Sequence, residues 1–159
     1  MGVLDEIGFY GAGPKVSEDA LELLAAPNCP TGPMDVLLAP DQMVLQIHES
    51  IGHPLELDRI LGDERNYAGT SFVTLDMFGS YRYGSDLLNI TFDPSIPKQF
   101  ASFGYDDEGL AAEKTFIIEK GILQRPLGAT ISQARAGLLG VANSRANGWN
   151  RAPIDRMAN

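Results

Sequence analysis

An α+β fold, with helices packed to one side of an antiparallel sheet, follows from three observations on this sequence. Apolar residues recur at helical spacing over residues 17–24 and again over 41–51. β-Branched and aromatic residues gather in the middle of the chain, in SFVTL (71–75) and LLNITF (87–92). The stretch TFIIEKGILQR (115–125) carries a Lys-Gly pair where a hairpin would turn.

Taken in order, Ser17 can cap a helix through Leu24, with Glu18 and Asp19 in its first turn, where the helix dipole favours acids. Pro27 stops it, and NCPTGP reads as a loop. DVLLA (35–39) is short, apolar and bounded by breakers, the pattern of a buried strand. Asp41 then caps a second helix in which Met43, Val44, Ile47 and Ile51 form one face, and His48 shares that face. Gly52 and Pro54 break this helix, and PLELDRIL supplies another, closed by Gly62. After the β-rich middle, a last short helix covers Ile131 to Leu139. The final nineteen residues, VANSRANGWNRAPIDRMAN, show no amphipathic pattern and read as a loop or a segment lacking its packing partner.

Size and composition bound the function. A chain of 159 residues fits one domain, and 44% hydrophobic with 21% charged residues is an ordinary globular balance. The net charge of −9 repels phosphate backbones, so no direct nucleic-acid partner is expected. No apolar run approaches the roughly 20 residues that span a bilayer, so no membrane partner is expected either. The N-terminus has no signal-peptide pattern, and the single cysteine, Cys29, fits a reducing cytoplasm.

The chemistry lies in IHESIGHPL (47–55). His48 and His53 are the two histidines of the chain, and Glu49 follows the first. A catalytic zinc takes three protein ligands and leaves a position for water. In the common H-E-x-x-H pattern the histidines are four apart and share a helix face; here they are five apart. At ~100° per residue, five positions leave the side chains about 140° apart on a regular helix, too divergent for one ion. Widening to i→i+5 hydrogen bonding, or a break at Gly52, would swing His53 beneath His48. Two readings of the motif stand on these residues alone. One is a metal site with Glu49 as the base. The other is a hydrogen-bonded core His48, with His53 capping the next helix. Two imidazoles suit zinc, nickel, copper or iron.

The stretch IHESIGHPLELDRILGDERNYAGTSFV, with the later NSRANGWNRAPIDRMAN, closely resembles the TldD/PmbA family of zinc metalloproteases, also called modulators of DNA gyrase. The resemblance implies His48 and His53 as zinc ligands and Glu49 as catalytic acid/base. It implies a TldD-type, cytoplasmic subunit that cleaves unfolded or extended peptides. It also implies a dimer, either of like subunits or with a PmbA-type subunit. On this footing residues 1–34 are a helical lead-in and 35–159 are the first part of the C-terminal metalloprotease domain. The family's third zinc ligand is a cysteine far downstream, beyond the end of this chain; Cys29 lies upstream and does not match it.

Around the motif, Glu56 and Asp58 are candidates to accept the outer N–H of an imidazole and fix its tautomer, against the alternative of solvated acids. Arg145, Arg151 and Arg156 are candidate contacts for peptide carbonyls or a terminal carboxylate, and Trp149 reads as a packing anchor. A non-catalytic interaction module, binding gyrase or a toxin-antitoxin partner, is the alternative function.

Overall fold

The computed structural model describes residues 2–159, and the chain divides into two units between Leu37 and Leu38. The first unit holds α1 (Val3–Glu6) and α2 (Gly13–Ala25), neither with a buried residue. α2 starts ahead of the expected Ser17 cap because Pro14, with its φ already helical, suits the first turn. Its leucines 21, 23 and 24 are 65–85% exposed. The strand expected over DVLLA does not form, and Leu37 is fully exposed. Apolar sequence alone does not make a strand; the backbone needs a neighbour for its amides, and none among the described residues pairs with this stretch.

The second unit opens with α3 (Pro40–Ile47), which runs into a π-helical turn (His48–Gly52), a 3-10 turn (His53–Leu55) and α4 (Leu57–Leu61). Ala39, not Asp41, stands at the N-cap of α3; Asp41 lies in the first turn and accepts the Gln42 N–H at 2.9 Å. Gly62 closes α4 in the left-handed conformation, with φ +87°. A short helix, α5 (Arg65–Ala68), and a 3-10 turn (Leu75–Met77) follow. SFVTL therefore forms no strand; Val73 is buried, while Phe72 stays largely outside.

The antiparallel sheet is β1 (Ile90–Phe92), β2 (Thr115–Glu119) and β3 (Ile122–Leu123), in the order β1-β2-β3. The hairpin turns at Lys120-Gly121, both with positive φ (47° and 74°), the two-residue turn that matches strand twist. A side chain at Gly121 would also stand 2.4 Å from the Gly84 carbonyl, so this glycine is fixed twice over. Ile51 and Leu55 from the motif region pack with Phe92, Ile118, Leu123 and Leu127 in one cluster. The motif helix is thus pinned to the core on one side. α6 (Thr130–Ala136) stops short of Leu139 because Gly137 turns left-handed at φ +66°.

The tail is ordered by polar burial rather than apolar pattern. β4 (Ser144–Arg145) pairs with β5 (Ile154–Asp155), and Asn143, Ser144 and Asp155 are at most 4% exposed. Asp106 accepts the Ser144 N–H at 3.1 Å, and Asn143 donates its amide to the Arg156 carbonyl at 2.8 Å. Asp58 accepts the Asp155 backbone N–H at 3.2 Å and Asp155 accepts that of Asp58 at 3.1 Å, and Asp155 also accepts from Ala129 at 3.0 Å. A search for amphipathic periodicity cannot see such clasps. Trp149, read as an anchor, is 98% exposed.

Burial, and then the Asp155 carboxylate, push the Asp58 carboxyl up to about 7; burial also raises Asp155. A group that binds its proton more tightly in the folded state stabilises below its unfolded pKa and loses that contribution as pH rises through the folded value. Urea midpoints of this chain should therefore fall between about pH 4 and pH 7. Asp58→Asn keeps an acceptor for the Asp155 N–H without the charge, and should flatten that slope; an unchanged slope would exonerate Asp58.

Candidate metal centre

The local geometry begins with Pro54. Proline has no N–H, and its ring collides with the carbonyl four residues back in a regular helix, here that of Ser50. In the structure this carbonyl leaves the ladder and accepts the Tyr83 hydroxyl at 2.5 Å. Burial raises Tyr83 to about 12, so the phenol is a neutral donor throughout the physiological range. The Pro54 carbonyl is taken by the Ser71 hydroxyl at 2.6 Å, and the Leu55 carbonyl by the Leu127 N–H at 2.8 Å. These three acceptors at the irregular stretch thus have partners from outside the helix, as a stable helix interruption requires.

The ladder widens over His48–Gly52, and the His53 N–H reaches the His48 carbonyl, an i→i+5 bond. The widening, rather than a break at Gly52, is how the helix departs from regularity. His53 stays helical at φ −58°, ψ −41° despite the following proline, and the backbone leaves the helical region only at Glu56, with ψ 118°. The two imidazoles consequently meet edge to face, with ring centroids 4.6 Å apart and planes at 89°.

His48, Glu49 and His53 each offer a donor atom, and these lie within 4.8 Å of one another. Donors around one tetrahedral zinc are about 3.4 Å apart, so small side-chain rotations would let the two imidazoles share one ion with the Glu49 carboxylate beside it. His48 and Glu49 are exposed, not buried with Ile51 as the helical pattern led one to expect, and are free to make them. Two imidazoles suit zinc as ligands, and a carboxylate beside them suits a base for its water.

His53 is half-buried; burial first, then Arg59, hold its pKa below the usual value. Its ring is therefore neutral near pH 7, the form that ligates metal. Glu56 is completely buried, with one oxygen 3.1 Å from His53 Nδ1 and 2.6 Å from Arg59 Nε. Burial lifts the Glu56 carboxyl to about 7, against the pull of Arg59 and Arg156. Arg59 Nη2 stands 3.0 Å from the same ring nitrogen. The two compete: Glu56 accepts when Nδ1 carries the proton, and Arg59 donates when it does not. A metal on Nε2 requires the proton on Nδ1, which selects Glu56.

The remaining sequence candidates stand elsewhere. The Asp58 carboxylate turns to the Asp155 N–H. Arg156 is half-buried, with Nη1 3.8 Å from Glu56 and Nη2 3.5 Å from Glu64. Arg145 and Arg151 are exposed, and Cys29 is an exposed free thiol. Sequence reasoning missed Tyr83 and Arg59. The i−4 relation between Ser50 and Pro54 signalled that some donor was needed, but not which one.

Residues 31–159 match the PmbA/TldA metallopeptidase C-terminal domain. The chain is 39% identical over 140 residues to a metalloprotease of Methanocaldococcus jannaschii, covering 88% of this chain and 29% of that protein. It is 31% identical over 129 residues to a zinc metalloprotease TldD homolog of Saccharolobus solfataricus, covering 80% and 27%. The chain thus spans less than a third of either relative. Among solved structures, TldE from Thermococcus kodakarensis aligns with TM-score 0.51 at 17% identity, over 68% of this chain and 23% of that one. A candidate modulator of a DNA gyrase from Thermotoga maritima aligns at 0.51 and 21%, over 69% and 23%. At these identities the two structures speak for the mixed α/β fold alone.

Tyr83→Phe removes the donor to the Ser50 carbonyl. It should cost about 1 kcal/mol in urea unfolding and weaken the nuclear Overhauser contact between the two histidine rings. An unaltered contact would mean that the π-helical turn holds without the phenol.

Proposed function

This chain belongs to the TldD/PmbA metallopeptidase family, and we propose that it carries the two-histidine part of a zinc peptidase site that hydrolyses unfolded or extended peptides. The observation that carries the reading is the convergence of His48 and His53 across the widened turn, with Glu49 beside them. In this reading the two imidazoles bind the zinc, and a cysteine downstream of residue 159 supplies the third ligand.

Zinc, when bound, lowers the pKa of its water from about 15.7 to ~7 and polarises the scissile carbonyl. Glu49 accepts the attacking water's proton on a carboxylate oxygen and delivers it to the leaving amine nitrogen. Its exposure leaves room for a peptide to approach. Glu56 holds Nδ1–H of His53, which would leave Nε2 as the nitrogen to ligate a metal. Arg59 and Arg156 balance the buried Glu56 charge. Arg145, exposed on β4, is available to a peptide carbonyl or carboxylate. In the same reading the complete protein works in the cytoplasm as a dimer, of like subunits or with a PmbA-type subunit. No helix among the described residues is long and apolar enough to cross a membrane.

Glu49→Gln in the full-length protein should abolish cleavage of an unfolded peptide, by about 100-fold or more, while zinc stays bound. Full turnover with bound zinc in that variant would remove Glu49 from the role of base.

A further inference from the structure

We propose that the tail segment Asp155–Met157 is a positioning wall of the metal centre: Met157 is the wedge that requires glycine at position 52, and Arg156 steadies the carboxylate behind His53. The proposal rests on the zinc-site reading above and adds residues to it.

Gly52 is buried, in an ordinary right-handed helical conformation (φ −56°, ψ −65°) that any residue adopts. Its lack of a side chain is not a matter of backbone freedom. A Cβ built there would stand 1.8 Å from Met157 Sδ, 2.9 Å from Cγ and 3.2 Å from Cε. Thioether and glycine thus interlock at the residue that immediately precedes His53. Met157, Gly52 and His48 also line one cavity of about 330 Å³.

The wedge is delivered by anchors that do not touch the histidines. Both backbone groups of Arg156 are held by Asn143, whose carbonyl accepts the Arg156 N–H at 3.2 Å and whose side chain donates to its carbonyl at 2.8 Å. Asp155 is clasped by Asp58 and Ala129. The Arg156 guanidinium donates to the Asp155 carbonyl at 2.7 Å and lies 3.8 Å from the Glu56 oxygen that meets His53 Nδ1. One segment, about a hundred residues downstream, therefore meets the turn carrying the ligands through packing at Gly52 and through charge at Glu56. The geometry assigns Met157 and Arg156 as positioning residues.

The test is a double-mutant cycle on this chain with Gly52→Ala and Met157→Ala, with Met157→Leu as the conservative variant. Two readouts are taken: the ring contact between His48 and His53 by NMR on this chain without metal, and zinc affinity of the full-length protein carrying the same substitutions by chelator competition. Gly52→Ala should lose the ring contact and bind zinc at least tenfold more weakly. Met157→Ala should bind severalfold more weakly, and Met157→Leu should restore most of that loss. The double variant should recover the ring contact and bind better than Gly52→Ala alone, because the colliding sulfur is gone. If Gly52→Ala fails to fold while the double variant folds, the interlock is upheld. A double variant no better than Gly52→Ala, or a Gly52→Ala protein with both readouts unchanged, overturns the proposal. If the ring contact follows the cycle but the full-length wild-type protein binds no zinc, the interlock stands and the peptidase reading falls. Tight zinc in wild type and Gly52→Ala alike gives the converse.

Discussion

The Ser50 carbonyl is the group around which the metal centre is built. No regular helix can satisfy it, because the residue four positions on is Pro54. Once the Tyr83 hydroxyl takes that carbonyl, the turn can widen by one residue and His53 comes round to meet His48. Had the helix stayed regular, five residues of rotation would have sent the rings about 140° apart. The irregularity is therefore the means by which an H-E-x-x-x-H spacing does the work of the more familiar one.

Electrostatics supply the second layer. Glu56, Asp58 and Asp155 are all buried, an arrangement that costs heavily unless each carboxyl is hydrogen-bonded or paired. Here each carboxyl has partners on one oxygen at least, while Glu56 Oε1 and Asp58 Oδ1 are buried without one among the described residues. Glu56 faces His53 and Arg59; Asp58 and Asp155 hold each other's backbone amides, and Arg156 lies near both Glu56 and Asp58. Burial first, and then the Arg59 guanidinium, lower the His53 pKa although a carboxyl touches it, so its contact with Glu56 is a hydrogen bond rather than an ion pair. The same network that makes burial tolerable also fixes the tautomer of a candidate ligand.

The expectations that failed did so for a common reason. DVLLA and SFVTL have strand-like composition, yet neither has a pairing neighbour among the described residues, and β structure is a property of pairs of segments. His48 was placed on a buried face by periodicity, but that face of α3 has no cover among the described residues, and Val44 on it is 68% exposed. The tail looked patternless because its order comes from Asn143, Ser144, Asp155 and their amide partners, which obey no apolar rhythm.

By itself the sequence determined the α+β class, the Lys120-Gly121 hairpin, the left-handed stop at Gly62 and the need for a departure from regular helix between His48 and Pro54. All of these are local, set by dihedral preference, by the missing proline amide and by the spacing of residues along one element. Only the tertiary structure decided that Tyr83 completes the widened turn, that Glu56 rather than Asp58 stands behind His53, and that Gly52 is small because Met157 lies over it. Those are contacts between residues that are distant in the chain or whose side chains share one short helix. Neither composition nor spacing encodes which way such side chains turn until the core has placed them.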